Sequence, residues 1–442
     1  MRGFDFTVIG SSTGLEVPLE VSDAGWSVAI IEEGSFGGTC LNRGCISSKM
    51  LIHCADVMQI IENAAAFGIR AKVESIDWQF IVKRAFVEVD ADAAMIERGN
   101  RQSENIEVFK GPGRFTGPKT LAVDIPGSDE EELTDETILI AAGTRPWAPE
   151  IPGLDQTPYI TSDEALRLPE QPKKPTIIGD GYIAAELAHF FGALGAEVTI
   201  IHPRNLMLRE EDNDVSPRFN VVLNARVESV SSLSGEITVE ATTSDGKRLI
   251  TSDTLLMATG RVPNTDILEV VKTGVKTNQR GYIDTNEFLE TNVPSVWALG
   301  DIVGQYLLKH SANLEAAYAS NNILEPEHQV AVNYHAMPHA VFASPQVASV
   351  GMTDQEAKGR GADYVTSTYN YSDTASGASI EGKDGFVKVL ADPGSGEILA
   401  CHIIGTDAAT LIQESANVIR ARGGVDAITQ SIYVHPALPE IL

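Results

Sequence analysis

The chain has 442 residues, of which 43% are hydrophobic, and its 61 acidic and 33 basic side chains give a formal net charge of −28. This length exceeds what one hydrophobic core supports, so we expect two to four domains. The acidic surface would repel nucleic acids and anionic membranes, and no apolar run is long enough to cross a bilayer. The N-terminus lacks the basic start and apolar core of a signal peptide, which predicts a cytoplasmic protein.

The acidic residues are spread along the chain, for example at 128–132 and 210–214, and are not collected in one tail. This dispersal argues against a disordered acidic segment. We favour a surface adapted to high salt, where screening weakens the repulsion between like charges. An ordinary acidic cytosolic protein is the alternative interpretation.

The first predicted elements form a βαβ unit. Its strand, turn, helix and second strand occupy residues 4–9, 10–14, 15–24 and 27–31. Gly10 and Gly14 in the turn, with Glu32 after the second strand, are typical of a dinucleotide-binding unit, in which a pyrophosphate approaches backbone N–H groups at a helix N-terminus. Ser12 stands where such a turn usually has its second glycine. Pro18 falls inside the predicted helix, where a missing N–H group would cost a hydrogen bond.

Cys40 and Cys45 lie in the glycine-rich entrance to the next predicted helix, in the sequence GGTCLNRGCISSKM at 37–50. A helical turn between them can bring the two sulfur atoms within bonding distance, and a helix N-terminus lowers the pKa of a nearby thiol. Two small buried side chains are the alternative. Because four cysteines in this length do not make a disulfide framework, a redox pair is favoured, with Cys54 and Cys401 packed as core residues.

Helices are predicted over 52–105, followed by strands near 107–110, 120–123 and 137–141. A proline-rich linker then predicts a domain boundary near residue 148. In a second βαβ unit the strand, turn, helix and second strand occupy 176–178, 179–181, 182–194 and 197–201. Two such units imply two dinucleotides, and hydride donors bind in this way, so we expect the second unit to bind a nicotinamide dinucleotide.

The second unit differs from the first in charge, because His202, Arg204 and Arg209 follow its last strand. A unit that binds NAD usually carries Asp or Glu at this point, whereas basic residues suit the 2′-phosphate of NADP. The sequence therefore favours NADPH over NADH. Solvated charges of a surface loop are the alternative.

The remaining predicted elements are strands at 226–230, 237–241, 254–257, 385–390 and 397–404 and helices at 408–421 and 425–431. Near the end of the chain the sequence HPALPE places His435 five positions before Glu440. Imidazole can supply a proton near neutral pH, and a carboxylate on its other ring nitrogen fixes the tautomer. A surface histidine before a turn is the alternative.

The run GGTCLNRGC, with Lys49 four positions further on, resembles the redox signature G-G-T-C-x-N-x-G-C-x-x-x-K of the class I pyridine nucleotide–disulfide oxidoreductases. The sequences ATGRVPN at 258–264 and HPALPE at 435–440 match further motifs of this family, and the resemblance extends over nearly the whole chain. The C-terminal third is most similar to the mycothione reductase and haloarchaeal bis-γ-glutamylcystine reductase branch. Compared with the family, the chain is short between residues 214 and 221, which indicates a deletion or a missing loop segment.

The resemblance implies an α/β fold with two Rossmann-like domains, for FAD and NAD(P), and a C-terminal α+β dimerisation domain. The expected division is an FAD domain, an NAD(P) domain, a central segment that completes the FAD site and an interface domain, at 1–148, 149–264, 265–333 and 334–442. A homodimer with shared active sites follows from this resemblance. The resemblance includes no metal site.

Each residue that matches a family motif acquires an expected role. For FAD these residues are Gly10, Gly14, Glu32, Gly38, Thr39, Lys49, Gly143, Asp301 and Ala312. For the nicotinamide dinucleotide they are Gly179, Gly181, Tyr182, His202, Arg204, Arg209 and Gly260. Tyr182 is expected to cover the nicotinamide pocket, and Lys49 and Glu186 are expected to pair beside the flavin.

The resemblance also implies a mechanism, in which NADPH passes a hydride to FAD and the reduced flavin opens a Cys40–Cys45 disulfide. Cys45 would lie against the flavin as the charge-transfer thiolate, and Cys40 would attack the substrate disulfide. His435 of the second subunit, held by Glu440, would protonate the leaving thiolate.

The expected substrate is a small-molecule disulfide, with bis-γ-glutamylcystine preferred because of the acidic composition and the similarity to that branch. An NAD-dependent dihydrolipoamide dehydrogenase is the first alternative. A non-catalytic flavoprotein that binds or senses redox state is the second, although the complete set of Cys40, Cys45 and His435 argues against it.

Overall fold

The computed structural model describes residues 2–204, 206–215 and 224–442. Most of the shortened segment expected between 214 and 221 therefore lies outside the described residues. The chain divides into two compact units. The first comprises Met1–Met50, Phe80–Trp147 and Arg261–Asn333, and the second comprises Leu51–Gln79, Ala148–Gly260 and Tyr334–Leu442. Within the described ranges, no helix combines the length and the apolar character that a membrane span requires.

The α-helices of these residues are α1 (Glu16–Asp23), α2 (Gly38–Arg43), α3 (Cys45–Asn63), α4 (Trp78–Gln102), α5 (Ser162–Ala165), α6 (Tyr182–Ala193), α7 (Lys309–Leu324), α8 (Asp354–Arg360), α9 (Ala375–Ser379), α10 (Ala408–Arg420) and α11 (Val425–Thr429).

The strands are β1 (Arg2–Ile9), β2 (Val28–Glu32), β3 (Ile106–Lys110), β4 (Gly113–Gly117), β5 (Thr120–Val123), β6 (Glu131–Ile140), β7 (Thr144–Pro146), β8 (Pro175–Ile178), β9 (Thr199–Ile201), β10 (Arg226–Leu233), β11 (Glu236–Thr243), β12 (Gly246–Ser252), β13 (Thr254–Met257), β14 (Arg261–Pro263), β15 (Val296–Ala298), β16 (Pro338–Val341), β17 (Val347–Gly351), β18 (Val365–Asn370), β19 (Phe386–Ala391) and β20 (Ile398–Ile404).

The first unit is built on a sheet with the order β3-β2-β1-β6-β5-β4, in which β15 also pairs with β6. β1 runs parallel to β2 and to β6, with Ile9 beside Ile31 and Ile140. Successive side chains of a strand point to opposite faces, so Phe6 and Val8 enter one buried cluster with α1 and α7 while Ile9 enters the other. Both faces are therefore covered, as parallel strands require.

Pro18 is explained by a break in the predicted first helix. The segment after the turn begins as a 3-10 helix at Thr13–Leu15, and α1 starts afresh at Glu16. Pro18 is thus the third residue of α1, and the N–H groups of a first helical turn have no partner within the helix. The proline removes a donor that the helix does not use.

The second unit contains the parallel sheet β13-β8-β9, the antiparallel sheet β10-β11-β12 and the five-stranded antiparallel sheet β16-β17-β20-β19-β18. α6 follows β8, which gives the second predicted βαβ unit its expected order. α10 packs on the five-stranded sheet through side chains spaced by three or four positions, including Leu411, Ser415 and Ile419. The mixed α/β fold predicted from the sequence is confirmed, whereas the division into four domains stays a prediction.

Candidate active site

The two cysteines lie on two successive helices, so the prediction of one continuous helical turn between them is wrong. Cys40 belongs to α2, which ends before Gly44. Gly44 has the non-helical angles φ −146° and ψ −119°, and Cys45 is the first residue of α3. A Cβ atom at Gly44 would lie 2.9 Å from the carbonyl oxygen of Thr39, so this tight reversal favours glycine. The predicted position of a cysteine at a helix N-terminus is confirmed for Cys45, where the helix dipole favours a thiolate.

Cys40 is half-buried and Cys45 is exposed. A hydrogen bond with Cys45, followed by burial, raises the pKa of the Cys40 thiol, and the ammonium group of Lys309 opposes that rise. Two thiols that share a hydrogen bond titrate as a pair. We therefore expect the pair to carry one thiolate at a time. Lys49 lies one turn further along α3.

The first glycine-rich turn has the backbone geometry of a nucleotide-binding turn. Gly10 has φ +106°, and a Cβ atom there would lie 2.4 Å from the carbonyl oxygen of Ala141. A Cβ atom at Gly38, the residue that starts α2, would lie 2.6 Å from the Cβ atom of Ser12. Ser12 is therefore accommodated by the missing side chain at Gly38. These residues leave a backbone-lined cradle next to Thr39, which suits the pyrophosphate of FAD.

The turn is also bonded to the neighbouring segments. Gly37 donates its N–H to the carbonyl oxygen of Ser11 at 2.8 Å, which joins the cysteine segment to the turn. The carboxylate of Glu32 accepts the N–H of Ser11 at 2.9 Å and the N–H of Gly34 at 2.6 Å. Glu32 thus fixes the turn, and each carboxylate oxygen keeps a further lone pair with which a ribose hydroxyl could bond. Gly14 is buried in the 3-10 helix that follows.

Asp301 lies where the short 3-10 helix Gly300–Ile302 follows β15. It accepts a hydrogen bond from the hydroxyl of Thr144 at 3.0 Å. Arg261 donates to that hydroxyl at 2.8 Å and to the carbonyl oxygen of Thr144 at 2.7 Å. Burial raises the pKa of Asp301, and the charge of Arg261 works against it. A carboxylate placed in this way fits a polyhydroxyl chain such as the ribityl group of FAD.

The predicted turns after β6 and β13 belong to one structural feature, which sequence reasoning did not foresee. β7 and β14, which follow these two turns, pair with each other. The N–H of Asn264 donates to the carbonyl oxygen of Gly143 at 3.2 Å, and its side-chain amide donates to the carbonyl oxygen of Ala142 at 2.7 Å. Gly143 and Gly260 have φ +65° and +128°. Ala312 is buried in α7.

The second glycine-rich turn repeats the geometry of the first. Gly179 has φ +145°, and a Cβ atom there would lie 2.1 Å from the carbonyl oxygen of Ala258. Gly181 is the N-cap residue of α6 and Tyr182 is its first residue. The N–H groups of this helix start point toward the turn, as a dinucleotide pyrophosphate requires.

The three predicted basic residues are placed differently. His202 is 2% exposed, and its Nε2 atom lies 2.9 Å from the carboxylate of Asp180 and 3.2 Å from Nε of Arg204. Burial lowers the pKa of His202, and Asp180 opposes this change. The ring is therefore held inside the protein. Arg204 and Arg209 are exposed, so of the three only these two can meet a ligand at the surface.

The expected proton donor retains its carboxylate partner. Nδ1 of His435 lies 2.8 Å from Glu440, whose other oxygen accepts the N–H of Ala437 at 2.9 Å. That backbone bond, followed by His435, lowers the pKa of Glu440. The His435 side chain is 71% exposed in the single chain. Glu186 is buried and accepts the N–H of Phe342 at 3.0 Å, and its pairing with Lys49 stays a prediction.

A buried cluster surrounds Glu211. The sequence indicates surface charge for the acidic run at 210–214, but Glu211 and Asp212 are each 1% exposed. The hydroxyl of Tyr182 and the ring of His339 both contact Glu211. Only the three-dimensional structure brings His339 to this acid, so nothing in the sequence pattern could have identified the pair.

Two family models match the chain. The model described as pyridine nucleotide-disulphide oxidoreductase matches residues 4–321, and the model of the dimerisation domain of that family matches residues 337–442.

Similar proteins are matched along almost their whole length. Mycothione reductase of Mycobacterium tuberculosis is 35% identical over 468 residues, which cover 100% of this chain and 98% of that protein. Dihydrolipoyl dehydrogenase of Chlamydia muridarum is 33% identical, covering 100% and 95%, and glutathione reductase of Burkholderia cepacia is 32% identical, covering 99% and 97%. Among solved structures, the HOCl-induced flavoprotein disulfide reductase RclA from Escherichia coli superposes with a TM-score of 0.87 at 26% identity, covering 99% and 98%.

Proposed function

The chain belongs to the pyridine nucleotide-disulphide oxidoreductase family, and from that premise we propose that it uses NADPH to reduce the disulfide of a low-molecular-weight thiol. The enzymes of this family are FAD-dependent disulfide oxidoreductases. The observation that carries the proposal is the hydrogen-bonded pair of Cys40 and Cys45, with Cys45 at the start of α3.

FAD, when bound, supplies two-electron transfer between the nicotinamide and the cysteine pair. The cradle formed by Gly10, Ser12 and Gly38, with Glu32 and Asp301, would hold it. In the dithiol form, the Cys40 proton moves to the sulfur of Cys45 across their shared hydrogen bond. The resulting Cys40 thiolate attacks one sulfur of the substrate disulfide, and the other sulfur leaves as a thiolate. His435 of the second subunit protonates that thiolate. Cys45 then gives its proton to His435 and attacks the mixed disulfide at Cys40, which restores the Cys40–Cys45 disulfide. The second substrate sulfur leaves as a thiolate and takes that proton from His435.

The role of Cys45 is tested by Cys45→Ser, with Cys54→Ser as the matched control on the same helix. We expect Cys45→Ser to retain FAD, to lose the long-wavelength absorbance that appears on two-electron reduction, and to lose disulfide reduction. Cys54→Ser should keep all three properties. If the long-wavelength band survived in Cys45→Ser, the role given to this cysteine would be wrong.

The preference for NADPH is supported by Arg204 and Arg209, whose side chains are 49% and 56% exposed. Replacing both by alanine should raise KM for NADPH at least about tenfold and leave KM for NADH nearly unchanged, since only NADPH carries the 2′-phosphate. Arg248→Ala, on the exposed strand β12, is the control. A strong preference of the unaltered enzyme for NADH would overturn this assignment and favour a dihydrolipoamide dehydrogenase.

Shared active sites in a homodimer are supported by the dimerisation-domain match and by the exposed His435–Glu440 pair. Cys40→Ser and His435→Gln subunits, each inactive alone, can be mixed after reversible dissociation. If the histidine acts in the other subunit, half of the sites in each mixed dimer are intact, so about a quarter of the original activity should return. No recovery, despite mixed dimers shown by mass spectrometry, would mean that histidine and cysteine act within one subunit.

For the substrate we propose bis-γ-glutamylcystine, because of the net charge of −28, which suits a high-salt cytoplasm. Mycothione is the second candidate, since mycothione reductase is a 35% identical relative. A panel of bis-γ-glutamylcystine, mycothione, glutathione disulfide and lipoamide, assayed from about 0.1 to about 3 M KCl, discriminates among them. The highest kcat/KM for another disulfide would reject the first choice, and activity greatest at low salt would reject the high-salt adaptation.

A further inference from the structure

One face of the sheet β16-β17-β20-β19-β18 carries a row of polar side chains in register. His339 lies opposite Ser349, Ser349 opposite His402, and His402 opposite Lys388. Ser349, His402 and Lys388 are no more than 5% exposed. Polar groups at this depth require partners, because burial without hydrogen bonds costs free energy.

For His339, Ser349 and Lys388 the partners come from the segment that follows the second nucleotide-binding unit, whereas His402 bonds to the carbonyl oxygen of Met352 at 3.1 Å. The carboxylate of Glu211 accepts hydrogen bonds from Ser349 at 2.8 Å, His339 at 2.9 Å and the hydroxyl of Tyr182 at 2.8 Å. Burial by itself would raise the pKa of Glu211, but these donors, led by His339, outweigh it and lower the pKa. Glu211 is therefore a fully buried carboxylate that stays ionised near neutral pH.

The next acid anchors the same segment independently of Tyr182. Asp212 accepts Lys388 at 3.0 Å and the N–H of Asp354 at 3.0 Å, and Gln355 donates to the carbonyl oxygen of Glu211 at 2.8 Å. Asp214 binds Lys388 as well, at 2.8 Å. Because these bonds already fix the segment, the contact between Glu211 and Tyr182 is not needed to hold it on the sheet.

Tyr182 is held at both ends. Its hydroxyl is bound by Glu211, and its ring stacks on the ring of His339 with centroids 6.0 Å apart and planes 14° from parallel. A hydrogen bond to an ionised acceptor is roughly twice as strong as one between neutral groups. The tyrosine that follows the second glycine-rich turn is thus held by an ionised acceptor and an aromatic neighbour.

We propose that Glu211 and His339 are positioning residues that hold Tyr182 over the nicotinamide pocket, and that they set how readily the enzyme admits the nicotinamide ring. This inference rests on the proposed function, in which Tyr182 covers that pocket. If admission requires Tyr182 to leave Glu211, the apparent affinity for the dinucleotide is reduced by the fraction of molecules in which it has left. A fragment without the nicotinamide does not encounter this barrier.

The test compares two ligands on the oxidised FAD-loaded enzyme by calorimetry. NADP⁺ carries the nicotinamide, and 2′,5′-ADP carries only the adenosine end. The Tyr182→Phe variant keeps the ring but loses the hydrogen bond, so NADP⁺ should bind about tenfold more tightly while the Kd of 2′,5′-ADP stays constant. Glu211→Gln and His339→Gln should change the ratio of the two Kd values in the same direction by about threefold. Tyr369→Phe, an exposed tyrosine on β18, should change neither.

Equal Kd ratios in Tyr182→Phe and the unaltered enzyme would overturn the inference. An equal change in the Kd values of both ligands would also overturn it. Such a change would mean that the cluster acts only on the adenosine end of the dinucleotide, through the segment that carries Arg204 and Arg209. The same ratio of Kd values is also measured with NAD⁺ and ADP-ribose, which lack the 2′-phosphate. If the enzyme prefers NADH, the cofactor assignment changes, but the ratio for this second pair of ligands still decides the role of Glu211. The conservative Tyr182→Phe change keeps the test informative if Glu211→Gln does not fold.

Discussion

The two glycine-rich turns share one geometry and differ in the side chain that supports them. In both, the first glycine has a positive φ and lies against a carbonyl oxygen of the strand next to it in the sheet, at Gly10 and Gly179. In the first unit the carboxylate of Glu32 accepts the N–H of Ser11 in the turn and the N–H of Gly34 after β2, whereas in the second His202 meets the carboxylate of Asp180 within the turn. The backbone thus specifies that a dinucleotide can approach, and the residue at the strand end adjusts the charge that the dinucleotide meets.

The largest loss of stability should come from changing the feature that both turns share, the close approach of the first glycine to a carbonyl oxygen. Gly10→Ala and Gly179→Ala should each lower the free energy of unfolding by more than about 3 kcal/mol, because the new Cβ atom would overlap a backbone oxygen and the left-handed φ is strained. Gly25→Ala and Gly195→Ala are matched controls, since both have positive φ but open space at the Cβ position. Chemical denaturation showing equal losses in variants and controls would mean that the close approach does not matter.

A second difference between the two nucleotide-binding units is a buried acid in the sheet of the first unit. Asp135 on β6 is 5% exposed, and burial raises its pKa from 3.8 to about 6, with Thr7 opposing. The raised pKa means that the folded state binds the proton more tightly, so the stabilisation is complete below 3.8 and lost as the pH rises through about 6. The strands of the sheet β13-β8-β9 carry no acid.

The Asp135→Asn variant should therefore be more stable than the unaltered protein at about pH 7.5, by up to about 3 kcal/mol, with a smaller gain at about pH 5. Urea denaturation at the two pH values measures this difference. Asp124→Asn, which follows the neighbouring strand β5, serves as the control. A gain that does not depend on pH would show that the carboxylate is not the cause.

A smaller effect is expected from the support of the first turn. Glu32→Gln replaces two charge-assisted hydrogen bonds by weaker ones and should cost about 2 kcal/mol of unfolding free energy and lower the FAD content of the purified protein. The adjacent exposed residue provides the control Glu33→Gln. Absorbance of bound flavin per protein and thermal unfolding measure the two effects, and full retention of both would remove Glu32 from this role.

The smallest effect distinguishes Gly181 of the second turn from Gly14, which lies in the 3-10 helix that follows the first turn. A Cβ atom at Gly181 meets no atom within 4 Å, whereas one at Gly14 would lie 2.6 Å from the Cβ atom of Ala141. Gly181→Ala should change the unfolding free energy by less than about 0.5 kcal/mol, and Gly14→Ala should cost about 1 kcal/mol or more. If both variants lost the same free energy of unfolding, the difference in space at the two glycines would not affect stability.

Sequence patterns predicted the parts that depend on local spacing. The two βαβ units follow from apolar strands, glycine turns and helix starts, and α10 follows from its periodic apolar residues. The patterns failed where distant segments meet. Strand β4 was missed because GRFTG lacks a run of β-formers, and the break at Gly44 was missed because helical periodicity continues through it.

The candidate site was predictable to a similar extent. The motif around Cys40 and Cys45 predicted two neighbouring sulfurs, which share a hydrogen bond in the structure, and the short spacing of His435 and Glu440 allowed their contact to be anticipated. By contrast, the sequence predicts that His202 meets the 2′-phosphate of NADP, whereas its ring is buried beside Asp180. A one-dimensional pattern carries no information about which charges lose their water.

The contact between Ser12 and Gly38 has an evolutionary consequence. The two residues share a volume that holds one side chain, because a Cβ atom at position 38 would come within 2.6 Å of the one at position 12. A descendant of this protein that gained alanine at 38 would first have to lose the serine side chain at 12. If the alanine came first, the two Cβ atoms would overlap in the intermediate. The nucleotide turn and the cysteine helix can therefore diverge only together.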